Sequence, residues 1–487
     1  MDVKNLNIKD IQNGYMKKDF TVKEVINGYL DSIEKEDEVI GSFINIDRKS
    51  AIKKAMTVDE EIKNKEDING LMGIPIALND DICTKDMPTT CGSKMLEDFT
   101  SPYDATVVKK LKSAGAIIIG KTNMDEFGLG STTENSFYKT TKNPWNIKKV
   151  PGGSAGGAAA AIASGFVPLA LASDYDGSLR QAASFCGIVG LKPTYGLVSR
   201  YGLISPTSSL SQIGIMSKNV EDCALVLEII QGSDSMDSTS YKAKKNKDYT
   251  SKLKNEIRGL KVGIPIESFN ENLDPEIKNK IDKIIDILSD MDIIVEKFSM
   301  GNLENGLLTH YMIMSAEVSS NLSRYDGIRY GYQTKNFNTM DELMRNSRSE
   351  AFGEEIKRRI TLGGLILTSK YYDKYYYNAK KIAEEIKREC INAFKSYDLI
   401  LMPSSPVLPY DIGMEIKKPL DIYRSKLYTV IANITGLPSM SLPCGFSSNG
   451  LPIGLELMTD YFNEDKLLNM AYHLRKKLVN TPGLEEL

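Results

Sequence analysis

The local architecture of the chain is set by PGGSAGGAAAAIASG, residues 151–165. Four glycines flank Ser154, and an alanine-rich run follows them. Small residues let the backbone approach a neighbour closely, and the start of a helix presents unpaired N–H groups. The Gly-Lys-Ser/Thr ending of a phosphate loop is absent, which argues against nucleotide binding here. On spacing alone, the simplest interpretation of Ser154 is a helix N-cap.

A second serine lies on a predicted turn in LASDYDGSLRQAASFCGIVGLKPTYG, residues 171–196. A buried strand is predicted to end at Ala172, and Ser178 follows directly after Gly177. A serine between a strand and a helix is well placed to act as a nucleophile, and the preceding backbone N–H groups can stabilise an oxyanion. Taken alone this signal is weak, because many turns end in Asp-Gly-Ser.

Outside these segments, short apolar runs alternate with helical patterns. We predict helices at 21–34, 275–289 and 370–396, the first because Thr21 and Glu24 form a capping box. The predicted buried strands are GIPIAL (73–78), AIIIG (116–120), VPLALA (167–172), LKVGIPI (260–266), IIVEKF (293–298) and LILMP (399–403). This alternation predicts an α/β fold, with a mixed, mostly parallel central sheet covered by helices on both faces. We expect a single domain over residues 1–487.

The composition favours a soluble globular protein of the cytoplasm. Apolar residues make up 41% of the chain and charged residues 26%, and the first ten residues lack the apolar core of a signal peptide. No uninterrupted apolar stretch reaches the roughly 18 residues that a membrane helix needs. The net charge of −3 argues against broad nucleic-acid binding. The lysine-rich run 242–247 is interpreted as a solvated surface loop.

Cysteine and histidine usage argues against several kinds of chemistry. The six cysteines form no CxxC pair and are predicted to be free, buried thiols. The two histidines, His310 and His473, are interpreted as structural, since a zinc site needs more ligands than the chain easily offers. Any enzymatic activity is therefore expected to proceed without histidine, metal or cofactor.

The two serine segments together resemble the amidase signature. GGSxGG is followed, 24 residues after its serine, by a second serine in GSxRQ and then by GLKPTYG. Further segments are similar to the A-subunit branch of the glutamine-dependent tRNA amidotransferases: GKTNMDEF (120–127), NPWNIKKVPGGS (143–154), SAEVSSNLSRYDGIRYGY (315–332), GEEIKRRI (353–360) and TGLPSMSLPCGFSSNGLPIGLEL (435–457). The resemblance runs from about residue 5 to about residue 475, with the signature core at about 70–215.

This resemblance implies a Ser-Ser-Lys triad that hydrolyses the side-chain amide of glutamine. In the family, a neutral lysine takes a proton through a bridging serine from a nucleophilic serine, which forms an acyl-enzyme and releases ammonia. By motif, Ser178 corresponds to the nucleophile and Ser154 to the bridging serine. The resemblance also implies B- and C-type partner subunits, contact with tRNA only through that complex, and conversion of Glu-tRNA(Gln) to Gln-tRNA(Gln).

The lysine of that triad is missing. The family pattern GIPIAIKDN reads GIPIALNDD here, so Asn79 stands where the lysine is expected. An asparagine amide does not accept a proton at any useful pH, whereas a desolvated lysine can. Loss of a general base lowers a rate by roughly two to four orders of magnitude. We expect Asn79 to lie near Ser154 in the lysine's place, and Ser154 to remain hydrogen-bonded to Ser178.

Other differences from the family fall at the same site. The family's DTGGS reads DYDGS, so the implied oxyanion-hole residues are Tyr175, Asp176 and Gly177. An inward-pointing carboxylate at Asp176 would repel a developing oxyanion. Three further positions also depart from the family pattern: Ala155, Ala182 and Ser211.

The implied substrate-binding residues are Arg358, Lys426 and Tyr311. Arg358 matches the arginine that binds the substrate carboxylate, whereas Lys426 replaces the aspartate that holds the glutamine amino group. Two positive side chains would favour a small carboxylate or amide ligand that lacks an α-ammonium group. A salt bridge between Asp176 and Lys426 would instead neutralise the lysine and close the pocket.

Three interpretations follow. The first is a diverged A-subunit-like protein whose glutaminase activity is impaired or lost. The second is a working amidotransferase subunit with a substitute base, for which the candidates are Asp80, Asp81, Asp176 and Lys426. The third is a free-standing amidase or amide-forming acyltransferase that acts on an unusual substrate.

Overall fold

A single eleven-stranded sheet organises the part of the chain that the structure describes. The structure is a computed structural model and describes residues 3–63, 68, 70–242, 247–415 and 420–479. Most of the lysine-rich run, residues 243–246, lies outside these ranges. The strands are β1 (Phe43–Ile46), β2 (Pro75–Asn79), β3 (Ile117–Thr122), β4 (Leu169–Asp174), β5 (Val189–Lys192), β6 (Gln212–Ser217), β7 (Lys261–Pro265), β8 (Ile294–Phe298), β9 (Leu399–Pro403), β10 (Ser439–Phe446) and β11 (Pro452–Met458).

The sheet is mixed, in the order β1-β3-β2-β4-β6-β5-β10-β11-β9-β7-β8. Parallel pairs join β2 to β3 and β4, and β7 to β8 and β9. The other six neighbouring pairs are antiparallel. The expectation of a mixed sheet is confirmed, but that of a mostly parallel one is wrong. The six strands predicted from apolar runs are the six that pair in parallel, and every antiparallel pair contains a strand that those runs did not reveal.

Helices flank this sheet on both faces, as predicted. The α-helices of the described ranges are α1 (Ile8–Lys17), α2 (Val22–Ile40), α3 (Arg48–Ile62), α4 (Thr106–Ser113), α5 (Gly156–Ala163), α6 (Ser178–Cys186), α7 (Val220–Ile230), α8 (Pro275–Asp290), α9 (Gly306–Asn321), α10 (Met340–Ala351), α11 (Glu354–Ile366), α12 (Asn378–Ala393), α13 (Val430–Thr435) and α14 (Glu464–Val479). The predicted capping box of α2 is present. The helix predicted at 370–396 instead consists of a π-helical turn, Tyr372–Tyr377, followed by α12.

The glycine- and alanine-rich segment forms α5, a buried helix. Its N-cap is Ala155 and not Ser154, so the N-cap interpretation of Ser154 is wrong. Close approach explains the small residues, because a Cβ on Gly157 would lie 2.2 Å from the carbonyl oxygen of Asn123. The helix therefore packs directly against the segment that follows β3, and Ser154 is left free to face the site.

The structure also bears on the cysteines, on membrane-spanning helices and on metal-binding groups. All six cysteines are free and buried, as predicted. No helix within the described ranges is long and apolar enough to cross a membrane. In the same ranges, no group of three or more His, Cys, Asp or Glu side chains is arranged to hold a metal ion.

Candidate active site

The carboxyl ends of β2 and β4 bring the candidate residues to one edge of the sheet. The two strands are parallel neighbours, and β2 ends at Asn79 while β4 leads into the turn before Ser178. Side chains that follow adjacent parallel strands emerge at the same edge. Gly177 has a φ of 88°, and a Cβ there would lie 1.9 Å from Thr429 Oγ1. Glycine is thus required at the position that aims Ser178 into the site.

The Ser178 hydroxyl is buried and bonded to its own turn. Its Oγ donates to the carbonyl oxygen of Ser173 at 3.2 Å and accepts from the backbone N–H of Tyr175 at 3.4 Å. The proton that a general base would remove is therefore directed at a backbone carbonyl.

The Ser154 hydroxyl is isolated. It is fully buried, and no protein atom of the described residues forms a hydrogen bond with its Oγ. The predicted hydrogen bond between Ser154 and Ser178 is therefore absent, and that prediction is wrong. The physical reason is that each neighbouring group is engaged elsewhere, Ser178 with its turn and Asn79 with a carboxylate.

Asn79 is buried, as expected, but it forms no hydrogen bond with Ser154. Its Nδ2 donates to Asp81 Oδ1 at 3.1 Å and lies 3.4 Å from the sulfur of Met124. Its Oδ1 accepts from the Thr122 hydroxyl at 3.4 Å. The amide is thus held by Asp81 and Thr122 and not by Ser154.

The Asp81 carboxylate is the polar centre of the site, and sequence reasoning named it only as a candidate base. Besides Asn79, it accepts hydrogen bonds from the hydroxyls of Ser173 and Tyr175. Burial raises the pKa of the Asp81 carboxyl, and these three hydrogen bonds oppose that rise. The Tyr175 side chain therefore reaches across the site to a residue 94 positions earlier in the chain.

The predicted oxyanion hole is only partly available. The N–H of Gly177 donates to Asp174 Oδ1 at 2.8 Å, and the N–H of Tyr175 points at Ser178 Oγ. Two of the three implied donors are consequently engaged, because the N–H of Gly177 donates to the Asp174 carboxylate and that of Tyr175 to Ser178.

Asp176 and Lys426 form a buried salt bridge. Lys426 Nζ lies 2.7 Å from Asp176 Oδ1 and donates to the carbonyl oxygen of Gly130 at 2.6 Å. Both side chains are almost fully excluded from solvent. The expectation of a net positive pocket is wrong, and the alternative of a pocket neutralised by this pair is confirmed.

The two adjacent arginines of α11 lie in different environments. Arg358 is 47% exposed and pairs with Glu355 on the outer side of α11. Arg359 is fully buried, and its guanidinium carbon lies 3.7 Å from the centre of the Tyr311 ring. Arg359 Nε also donates to Glu355 Oε1 at 2.8 Å. Tyr311 therefore contacts the buried Arg359, and the substrate-binding roles of Arg358 and Tyr311 stay predictions.

Helical periodicity could have distinguished the two arginines. The buried positions of α11 include Ile356, Arg359, Gly363 and Ile366, spaced three or four residues apart. Arg358 falls off that stripe. The apolar pattern of the helix thus assigns the inward arginine, whereas motif matching alone does not.

His310 lies against the nucleophile turn. Its Nε2 is 2.9 Å from the carbonyl oxygen of Tyr175, and the ring is buried. Burial lowers the pKa of His310, and the nearby Asp176 carboxylate opposes that effect. The histidine bonds neither Ser178 nor Ser154, in agreement with its structural interpretation.

Asp80 hydrogen-bonds neither of the two serines and lies beside a buried lysine. One carboxylate oxygen accepts from the N–H of Thr90 at 3.0 Å and of Gly92 at 3.3 Å, and the other lies 3.9 Å from Lys121 Nζ. Burial raises the pKa of Asp80 to about 6 from 3.8, although Lys121 and the hydrogen bonds oppose the rise.

This shift predicts a pH dependence of stability. Because the folded chain binds the Asp80 proton more tightly than the unfolded chain, the free energy of unfolding should fall as the pH rises from about 4 to about 6, by about 3 kcal/mol. An Asp80→Asn variant should lack this contribution, so its stability relative to wild type should rise over that window. Urea unfolding at several pH values measures the difference, with Asp98→Asn at an exposed carboxylate as the control. Parallel pH profiles for wild type and Asp80→Asn would contradict the assignment.

The sheet and the two-serine site define the class of protein. The family model described as Amidase matches residues 24–468, and the chain belongs to this family. Within it, the chain is 52% identical over 478 residues to the A subunit of the glutamyl-tRNA(Gln) amidotransferase of Alkaliphilus metalliredigens, covering 98% of this chain and 97% of the relative. It is 49% identical over 477 residues to the A subunit numbered 2 of the same enzyme in Clostridium acetobutylicum, covering 98% of this chain and all of the relative.

Solved structures agree with this placement. The crystal structure of the A subunit of the Thermotoga maritima glutamyl-tRNA(Gln) amidotransferase superposes with a TM-score of 0.80 at 36% identity, over 99% of this chain and 96% of that one. The peptide amidase of Stenotrophomonas maltophilia gives 0.82 at 26% identity, over 97% of both chains. The amidase-signature α/β fold is therefore confirmed, and the chain closely resembles the A subunit.

Proposed function

We propose that the chain is an A-subunit-like protein of a glutamine-dependent tRNA amidotransferase whose glutaminase activity is impaired or lost. Identity of about half over nearly the whole length supports the A-subunit part. The observation that carries the second part is the buried Ser154 hydroxyl, which has no hydrogen-bond partner among the described residues. In the family's mechanism this hydroxyl relays a proton, and an isolated hydroxyl cannot pass one from Ser178 to a base.

The four candidate substitute bases do not fill this gap. A general base must lie within hydrogen-bond reach of the proton that it removes, or act through one water. Asp80 and Asp81 accept from other groups, and Asp176 and Lys426 pair with each other. Within the described ranges none of the four hydrogen-bonds to either serine. This favours an impaired enzyme over an active one with a substitute base.

The proposal extends to partners and place of action. Because the relatives are named as amidotransferase subunits and match over 97% or more of their length, we infer B- and C-type partner subunits and tRNA contact only through that complex. The setting is the cytoplasm. A free-standing amidase or acyltransferase stays the alternative, and failure to copurify with B- and C-type subunits would favour it.

Glutamine hydrolysis is expected to be very slow. With no base near Ser178, turnover should fall at least about two orders of magnitude below ordinary enzyme values, which are on the order of 1–1000 per second. The measurement is ammonia release by the purified chain, alone and with its partner subunits. The matched control is Ser178→Ala, which gives the rate without the nucleophile. A wild-type rate in the ordinary range that Ser178→Ala abolishes would contradict the proposal and indicate a substitute base.

We do not expect the site to bind the small carboxylate or amide ligand that the resemblance implies. Since Asp176 neutralises Lys426 at 2.7 Å, we expect neither glutamine nor glutaramate, its analogue without the α-amino group, to bind measurably. Isothermal titration calorimetry of both compounds tests this. Tighter binding of glutamine than of glutaramate would refute the charge argument, because it would require a partner for the α-ammonium group.

A further inference from the structure

Three residues that depart from the family pattern contact one another around a single carboxylate. Asn79 donates to Asp81 Oδ1 at 3.1 Å, and the Tyr175 hydroxyl donates to Asp81 Oδ2. All three side chains are fully buried. The family segments IKDN and DTGGS place lysine, asparagine and threonine at these positions, so the three differences form one hydrogen-bonded unit in the structure.

The Tyr175 ring occupies the space behind this carboxylate. The ring packs in an apolar cluster with Cys91, Phe127 and Leu129, and a Cβ on Gly128 would lie 2.1 Å from it. Tyr175 is also fixed through its backbone, because its N–H points at Ser178 Oγ and its carbonyl accepts from His310. The ring is therefore held by its packing and by its hydrogen bond to Asp81, and its backbone is part of the nucleophile turn.

A lysine placed at position 79 would meet this unit. Its amine would enter a buried site already holding the Asp81 carboxylate, which lies 3.1 Å from the present amide nitrogen. An opposite charge in the same buried site favours the charged form of an amine. A charged ammonium has no lone pair with which to accept a proton, so the restored lysine could not act as the base.

We infer that Asn79, Asp81 and Tyr175 are a coupled replacement, in which Asp81 and Tyr175 act as positioning residues that keep the base site closed to a functional lysine. The inference rests on the proposed loss of glutaminase activity and adds the reason why the loss is not repaired by one substitution. The unpartnered Ser154 hydroxyl marks the group that a neutral amine would contact once the site is opened.

The test measures the reactivity of Ser178 with phenylmethylsulfonyl fluoride, which needs no glutamine-binding site. The serine oxygen bonds to sulfur, fluoride leaves, and the serine proton passes to the base. Asn79→Lys alone should react no more than about threefold faster than wild type, because its lysine is held charged. Asn79→Lys combined with Asp81→Asn and Tyr175→Thr should react at least about 100-fold faster, the range that a general base contributes.

The pH profile distinguishes a restored base from a loosened fold. In the triple variant the rate should rise with pH through a single ionisation that Asn79→Lys alone does not show. Adding Ser178→Ala should abolish labelling, as read by mass spectrometry of the intact chain. If the triple variant does not fold, Asn79→Lys with Asp81→Asn is the second test, with a smaller gain of at least about tenfold expected.

Two outcomes would overturn the inference: equal reactivity of the single and triple variants, or no gain in folded variants that carry the lysine and lack the Asp81 carboxylate.

A double-mutant cycle gives an independent readout, since Asp81→Asn and Tyr175→Phe should show non-additive effects on thermal stability. Additive effects would argue that the residues are not coupled. Failure of the proposed function appears separately, as glutamine turnover by wild type above Ser178→Ala.

Discussion

Replacing Arg180 with methionine should lower the free energy of unfolding by roughly 3–5 kcal/mol, because it leaves buried carboxylates without a partner. Arg180 is fully buried, with its Nε 2.9 Å from Asp174 Oδ2, and it also pairs with Glu456. It donates in addition to the Thr429 carbonyl at 2.9 Å and to Asn433 Oδ1 at 2.7 Å. Urea unfolding followed by circular dichroism measures the loss.

The effect of Arg180→Met should depend on pH. Burial favours the neutral form of Asp174, yet Arg180 holds its pKa below the ordinary value. The stabilisation is therefore present above that ordinary value and is lost as the pH falls through the lowered pKa. Arg388→Met, at an exposed side chain, is the matched control and should change stability by less than about 0.5 kcal/mol. A loss below about 1 kcal/mol for Arg180→Met would show that the carboxylates find other partners.

Breaking the Asp176–Lys426 pair should have an effect of similar size. In Lys426→Met the carboxylate of Asp176 stays buried without its cation, which costs roughly 3–5 kcal/mol. Combining Lys426→Met with Asp176→Asn removes both charges and should recover most of the stability, because an amide is less costly to bury than an unpaired carboxylate. Thermal and urea unfolding of both variants measures the recovery. A double variant no more stable than Lys426→Met would show that the carboxylate is not the source of the loss.

Local patterns predicted the parallel half of the fold and missed the antiparallel half. Central parallel strands are buried on both faces and read as continuous apolar runs, as in β2 and β9. The missed strands carry mixed sequences, such as QIGIMS in β6 and SMSLPCGF in β10. Their pairing depends on partners far away in the chain, which no local pattern encodes.

In the site, likewise, the sequence indicated which residues take part but not how they hydrogen-bond to one another. Motifs singled out Ser154, Ser178 and Asn79 as residues of one pocket, and the structure buries all three side chains. The direction of each hydrogen bond did not follow from the motifs, because it depends on contacts such as that between Asp81 and Tyr175, which lie 94 positions apart in the chain. The motif also did not distinguish the buried Arg359 from the half-exposed Arg358, because adjacent helix positions differ by about 100° in direction.

The buried pair of Asp176 and Lys426 also determines how costly single substitutions at either position are. The family pattern that the chain resembles has glycine and aspartate at these two positions, so both members of the pair differ from it. Reverting Lys426 to the family's aspartate alone would place two carboxylates side by side, and reverting Asp176 alone would strand a buried ammonium. Each single reversion passes through a less stable protein, so selection for stability opposes the first step back in either direction. The salt bridge thus makes either single reversion destabilising, and this effect does not depend on ligand binding.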